Sequence, residues 1–419
     1  MARSKLNGEY PTAAPDWSNL SRGTTRLARL FGDIIEGSSA GTYITSRQGR
    51  QYLNCGGYGT FFVGARHPTV VAAVKAQIDR HPLSSRLFLE PALAQAAGSL
   101  ARVAPRGLRK IFFTASGAEA VEAAMKLARL HGRTRVISME RGYHGKTLGA
   151  LSLTANPTYQ RPFVPLIPDV YHVPFNNLPA LARCIGDEGS TTCVFIEPIQ
   201  SEAGVILPEQ NYLRGVSELC NQAGALLIAD EIMTGLGRTG FMWYSNGAGM
   251  SADIVLAGKA LTGGVVPVAA LIASPSAFEP FDNDPYIHTS TFSGAPIAAA
   301  AASAAIQVIE EEGLVRRAYE IGNRLIPQLQ DIAKRTAPWL IREIRGEGVL
   351  IGIETISPSE LGEFILHMVE HGVIVNNSLN AHPVARLTPP ATLSGGDEEW
   401  LLGAFEASLV AMSNGCTHD

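Results

Sequence analysis

The 419-residue chain is poor in charge, in cysteine and in long apolar runs. Lys, Arg, Asp and Glu together make up only 17% of it, where roughly 25% is usual for a soluble domain, and the net charge is -4. With so few basic residues it lacks the clustered Lys and Arg that nucleic acid or an anionic membrane surface would require, so neither is expected as a partner. The five cysteines, Cys55, Cys184, Cys193, Cys220 and Cys416, are odd in number and scattered. They have no C-x-x-C spacing and no nearby His at ligand spacing, so neither a disulfide framework nor a metal site is expected. They read as thiols kept in a reducing compartment. No apolar h-region follows Met1-Ala2-Arg3-Ser4-Lys5, with Asn7, Gly8 and Pro11 close behind, and export is not expected. The most apolar stretch, Ala295 to Ile309, is too short and too alanine-rich to span a membrane, and it runs straight into Glu310-Glu311-Glu312. It reads as a buried core helix of a cytoplasmic protein.

What is present is a 46% hydrophobic chain of enzyme size, long enough for two or three domains and far too long for a peptide-binding module. Short apolar runs alternate with longer helical patterns, the mark of an α/β protein. The runs Lys110 to Phe113, Arg135 to Met139, Cys193 to Ile196, Ala225 to Ala229, Ile254 to Ala257 and Val268 to Ala273 predict strands. Most are continuously apolar, as parallel strands covered on both faces should be. Between them, Val121, Ala124, Met125 and Ala128 recur at helical spacing over Ala118 to His131, with Gly132 as the stop. Beyond Glu312 the texture changes to amphipathic helices (Val315 to Arg335, Ser359 to His371) and strand candidates at Val349 to Glu354 and Val373 to Asn376. The expected organisation is an N-terminal segment (1–58) completing a smaller α+β domain (313–419), around a large domain (59–312) with a mostly parallel central sheet.

Open α/β sheets bind ligands beyond the carboxyl ends of their strands. Three such ends carry chemistry: Glu197-Pro198, Asp230-Glu231 and Gly258-Lys259. Two carboxylates and a lysine on one sheet edge would be costly unless paired or ligand-bound. Ser116 and Glu119 match the S-x-x-E capping box where a strand gives way to a helix. That pattern is satisfied by a well-made helix start alone, and equally by one whose Gly117 and Ala118 N–H groups receive a phosphate.

Two motifs are set aside. Gly235-Leu236-Gly237-Arg238-Thr239-Gly240 fits the dinucleotide pattern G-x-G-x-x-G, but it lies well past its strand and is followed by Phe241, Trp243, Tyr244 and further glycines where a helix is required. Gly258-Lys259 fails as a P-loop because position 253 is Asp and Ala260 follows the lysine. A lysine in a glycine-rich turn is ordinarily just solvated. The apolar strand before Lys259 and the Asp230 strand end on the same edge favour a chemical role instead. Lysine, aspartate and a phosphate-holding helix start together suit pyridoxal 5'-phosphate: the lysine forms the Schiff base, the aspartate keeps the pyridinium nitrogen protonated, and the helix holds the phosphate.

From about Tyr52 to Leu393 the sequence resembles the class III, or ω-, aminotransferases of fold type I, including ornithine, acetylornithine and 4-aminobutyrate aminotransferases. The resemblance is carried in order by Ser116-Gly117-Ala118-Glu119-Ala120, Tyr143-His144-Gly145, Glu197-Pro198-Ile199-Gln200, Asp230-Glu231-Ile232, Gly237-Arg238-Thr239-Gly240, Gly258-Lys259-Ala260-Leu261 and Ser290-Thr291-Phe292. It implies that Lys259 is the Schiff-base lysine and general acid/base, and that Asp230 partners the pyridinium nitrogen. It places Ile232 and Tyr143 on either face of the ring, with His144 in the same cofactor-binding run. Ser116, Gly117 and Ala118 would hold the phosphate, and Ser290 and Thr291 would reach it from the second subunit of a homodimer. Glu197 would stand behind the cofactor as a third catalytic group. Glu202 would be a gate pairing with Arg386, closed for a substrate with a distal amine and open when Arg386 takes the carboxylate of glutamate or 2-oxoglutarate; an ordinary structural ion pair is the alternative for Arg386. Met233 and Ala295 depart from the ornithine and acetylornithine pattern, which usually has glutamine and asparagine there.

The implied activity is a ping-pong transfer of an amino group between a terminal amine/aldehyde pair and glutamate/2-oxoglutarate, with small-molecule amino donors and keto or aldehyde acceptors as partners. A same-cofactor aminomutase or racemase is the alternative, against which the retained Arg386 argues. A non-catalytic protein on this fold would be expected to lack Lys259 or Asp230, and both are present.

Overall fold

A computed structural model describes residues 16–381 and 383–415. The Met1-to-Pro11 segment read for export and Cys416 lie outside these residues.

The centre is a seven-stranded sheet in the order Lys110–Thr114, Ala269–Ala273, Ile254–Ala257, Leu226–Asp230, Thr192–Ile196, Arg135–Met139, Val170–Val173. Ala269–Ala273 runs antiparallel to both neighbours, and the other four pairings are parallel. Six of the seven strands therefore end on one edge. Alternation explains why these strands read as unbroken apolar runs. Cys193 and Phe195 pack with Ala120, Val121 and Ala124 of the helix Gly117–Leu130, while Val194 and Ile196 point into the opposite layer with Leu213 and Val216 of the helix Tyr212–Ala223. Both faces are covered, so both sets of side chains are largely apolar, with buried exceptions such as Ser138 and Thr192.

The alanine-rich stretch forms the helix Pro296–Glu311, with Ala299, Ala301, Ala302 and Ala305 buried against the helices Pro68–Arg80 and Pro91–Val103. Small side chains let the three helices approach closely. Among the described residues no helix is long and apolar enough to cross a membrane.

The C-terminal part holds an antiparallel sheet, Ile341–Glu347, Leu350–Thr355, Val384–Leu387 and Asn376–Asn377, with the helices Leu314–Thr336, Pro358–Glu370 and Gly395–Gly415. A separate sheet joins Glu36–Ala40, Tyr43–Ser46 and Gln51–Asn54 to Val373–Ile374, with Val373 opposite Leu53. The expected strand Val373 to Asn376 is thus two short strands serving two sheets, the chain crossing between them at Val375.

Candidate active site

Each chemistry-bearing side chain lies where a strand stops. Asp230 is the last residue of Leu226–Asp230, Glu197 follows Thr192–Ile196, and Lys259 lies two residues past Ile254–Ala257. Lys259 has φ of 40°, a left-handed conformation uncommon for a residue with a side chain. The turn is held by the Leu261 N–H donating to Gly258 O at 2.9 Å and by Thr262 Oγ1 donating to Lys259 O at 2.7 Å.

The helix Gly117–Leu130 begins at the same edge. Ser116 caps it, its Oγ accepting from the Glu119 N–H at 3.3 Å. Glu119 reaches back one residue further than a standard capping box and accepts from the Ala115 N–H at 2.9 Å. The Gly117 and Ala118 N–H groups stay in the first turn, where no intrahelical acceptor exists and the helix dipole is positive.

These groups line one cavity of about 350 Å³, together with Tyr143, His144, Glu202 and Ile232. The His144 ring is buried, its Nδ1 lying 2.8 Å from Asp230 Oδ2, and Asp230 Oδ1 accepts from the Ile232 N–H at 3.2 Å. Burial alone would lower the His144 pKa, but the hydrogen bond and charge of Asp230 outweigh it and hold the imidazole above its usual value. A carboxylate oxygen accepts, so Nδ1–H donates to Asp230, while Nε2 is buried with no partner among the described residues. Asp230 is thereby fixed in direction from behind.

Glu197 binds two loops at once: Oε1 accepts from the Tyr143 N–H at 2.8 Å and Oε2 from the Ser201 N–H at 3.3 Å. Burial pushes its carboxyl up to about 7. Burial also holds the Lys259 ammonium below the usual lysine range, against the opposing pull of Glu202, Asp230 and Glu197. A lysine so placed gives up its proton more readily than a surface lysine.

Glu202 pairs with Arg386, Oε1 lying 2.5 Å from Nη1, and its Oε2 accepts from the Leu379 N–H at 2.8 Å. Arg386 also donates to Ser201 Oγ at 3.1 Å, yet its Nε and Nη2 are buried without a partner among the described residues. The ion pair is incomplete. The guanidinium keeps two donor nitrogens uncommitted within the described residues.

The structure brings Ser116, Gly117, Ala118, Tyr143, His144, Glu197, Glu202, Asp230, Ile232 and Lys259 together, with Arg386 behind Glu202. Ser290 and Thr291 do not line the cavity of their own chain; Ser290 is half-buried and Thr291 exposed. Thr60, Lys146 and Ser201 line it without having been singled out from the sequence. Thr60 had a signal in the glycine-dense Gly56-Gly57-Tyr58-Gly59-Thr60. Gly59 has φ of 78°, and a Cβ there would sit 2.8 Å from Met233 Sδ. Met233, at the departing position, lines the cavity and packs on Ile199, Val205 and Leu350.

The glycine pattern at 235–240 is a turn, not the start of a helix. Its Arg238 is buried with no carboxylate partner among the described residues and donates to Gly59 O at 2.9 Å and Pro389 O at 2.6 Å. Burial lowers its pKa to about 9. It ties the Gly59 turn to the segment after Arg386.

A cation, a carboxylate and a helix N-terminus facing one cleft suit a flat, anionic cofactor. The aminotransferase class-III family model matches residues 32–409. The chain is similar to a transaminase from the marine bacterium Virgibacillus (26% identity, covering 92% of this chain and 94% of that one, TM-score 0.87). It is also similar to the ornithine aminotransferase of Toxoplasma gondii, whose structure reveals partial occupancy of PLP at the protein active site (28% identity, 94% of each chain, TM-score 0.86). A third similar structure is the omega transaminase of Pseudomonas jessenii in complex with PMP (25% identity, 96% of this chain and 97% of that one, TM-score 0.87).

Proposed function

Since the chain belongs to the class III aminotransferase family, whose members are pyridoxal-phosphate-dependent enzymes of fold type I, we propose that its cavity holds pyridoxal 5'-phosphate on Lys259 and transfers amino groups between a terminal amine and 2-oxoglutarate. The observation that carries this reading is the convergence of Lys259, Asp230 and the Gly117–Ala118 helix start on one cavity. The cradle also fits in shape: a Cβ at position 117 would lie 2.8 Å from Ile232 Cδ1, so only glycine keeps that corner open beside Ile232.

When bound, the cofactor supplies an electron-accepting ring that stabilises the substrate carbon as its proton leaves. The chain's residues do the rest. Asp230, aimed by His144, would partner the ring nitrogen. Tyr143 and Ile232 would cover the ring's two faces, and the Gly117 and Ala118 N–H groups would take the phosphate. Lys259 Nζ, with its pKa lowered by burial, would take the proton from the substrate carbon and, in the reverse half-reaction, would give one back to the carbon of the keto substrate. Glu197 keeps the Tyr143 and Ser201 loops in register beneath them.

Glu202 and Arg386 serve the two half-reactions in turn. Paired, they present a neutral surface to an amine without a nearby carboxylate; separated, Arg386 binds the carboxylate of glutamate or 2-oxoglutarate in bidentate fashion. Ser290 and Thr291 act from a second copy of the chain. Their absence from their own cavity supports this, as do the exposed Leu87, Phe88 and Leu89, whose neighbour Arg86 donates to Ser290 O, and the exposed Tyr286 and Phe292 beside Ser290 in the chain. The unpaired, buried Cys55, Cys193 and Cys220 support a cytoplasmic site of action.

The test is an absorbance spectrum of purified protein before and after glutamate. The visible band should fall with glutamate, return with 2-oxoglutarate, and be lost in Lys259→Ala. A panel of diamines and ω-amino acids then identifies the other substrate. Protein that stays colourless with added cofactor overturns the reading.

A further inference from the structure

Glu202 is held at three points, and only one of them is Arg386. Its Oε2 accepts from the Leu379 N–H at 2.8 Å and its backbone carbonyl accepts from the Asn380 N–H at 2.9 Å. Both donors sit between the strands Asn376–Asn377 and Val384–Leu387, a connection that belongs to the C-terminal sheet. Two consecutive residues of that connection therefore grip the gate carboxylate and its backbone.

The grip is itself anchored. Asn380 Nδ2 donates to Gly142 O at 2.9 Å and to Arg141 O at 3.1 Å, and its Oδ1 accepts from Asn156 Nδ2 at 3.0 Å. Tyr159 Oη donates to Leu379 O at 3.2 Å. Gly142 directly precedes Tyr143, a wall of the cavity. Asn380 thus uses both ends of its amide and its backbone N–H to fasten the connection across the loops that form the site.

We propose that Asn380 is the latch of the Glu202–Arg386 gate, a positioning residue that holds the gate closed and so sets the balance between carboxylate-free amines and dicarboxylates. The proposal rests on the gate reading given above. Glu202 cannot swing away from Arg386 without giving up the Leu379 N–H, unless the connection moves with it. The connection cannot move while Asn380 is bonded to Arg141, Gly142 and Asn156. An element with two arrangements, biased by a small number of hydrogen bonds, shifts its population when one is removed.

The test measures binding of glutarate, an unreactive dicarboxylate, to the cofactor-loaded enzyme by calorimetry, alongside kcat and KM for glutamate. Asn380→Ala removes the three side-chain hydrogen bonds to Gly142, Arg141 and Asn156, and should tighten glutarate by roughly 10-fold or more and lower the glutamate KM more than it changes kcat. Asn156→Ala, which removes one anchor and leaves Asn380 intact, should move both values the same way by less. In a Glu202→Ala background, Asn380→Ala should add no further tightening, because the latch then has nothing to hold. Unchanged or weaker glutarate binding in both single variants overturns the proposal, and so does tightening that persists without Glu202. Arg386→Ala separates the two levels. If glutarate binding survives that change, the gate reading itself fails; if it is lost while Asn380→Ala is inert, the latch alone fails.

Discussion

Glu197→Gln is the sharpest perturbation of the site's electrostatics. The carboxyl is buried, and its pKa rises from 4.5 to about 7, chiefly through desolvation, with Asp230 adding to the rise and His144 and two N–H donors opposing it. Between those values the native protein binds a proton that the unfolded chain has released, so stability falls as pH rises through that window. The contribution is fully present below 4.5 and gone above about 7. The difference corresponds to about 3 kcal/mol, at 1.36 kcal/mol for each tenfold change in proton affinity. Glutamine keeps the shape, and its Oε1 can still accept from Tyr143, while the amide meets the Ser201 N–H donor-to-donor, a pH-independent loss of about 1 kcal/mol. Urea unfolding of the cofactor-free protein at intervals from pH 5 to 8 reads the comparison. The variant should gain on the parent steadily as pH rises, by an amount on the order of 3 kcal/mol across the window. A difference that stays flat from pH 5 to 8 would refute the claim that Glu197 is forced to ionise in an apolar setting.

Other outcomes follow from the same geometry. Gly117→Ala places a methyl 2.8 Å from Ile232 Cδ1 and should weaken cofactor binding by about 1–3 kcal/mol, with Ile232→Ala restoring part of the loss in a fluorescence titration. Lys259→Met should raise the thermal stability of the cofactor-free protein at neutral pH. Burial disfavours the ammonium in the native state but not in the unfolded chain, and the advantage should fade as pH climbs toward 10.5, where the unfolded lysine also loses its proton. Arg386→Ala should cut the single-turnover rate with glutamate by roughly 10²- to 10³-fold, as loss of a buried carboxylate partner does, and spare amines that carry no carboxylate.

Much of the large sheet was legible because both its faces are covered. Thr192–Ile196 is buried at every position and reads as a strand with nothing but local information. Val170–Val173 escaped notice because it is the edge strand, and Tyr171 and His172 make it look like a loop. Glu36–Ala40 escaped for the same reason: Glu36-Gly37-Ser38-Ser39-Ala40 alternates between exposed and half-buried positions with no apolar side to mark it. The double strand at Val373 and Asn376 could not be separated, since the division depends on which sheet each half joins. Within the site, Lys259 and Asp230 stand directly after apolar runs and can be found by that rule. The part played by His144 in aiming Asp230 could not, because the two are 86 residues apart and only the parallel pairing of their strands with Thr192–Ile196 brings them near. Asn380 gave no signal at all. Its partners Arg141, Gly142, Asn156 and Glu202 lie between 178 and 239 residues away, and an asparagine in a connection looks the same whether it is solvated or fully bonded.

The most direct test of the central claim is to reduce the cofactor-loaded enzyme with borohydride, digest it, and locate the modified lysine by mass spectrometry. A pyridoxyl group is expected on Lys259 and none on Lys146, the other lysine that lines the cavity. A label on Lys146, or protein that carries no label while still losing its colour on reduction, would contradict it.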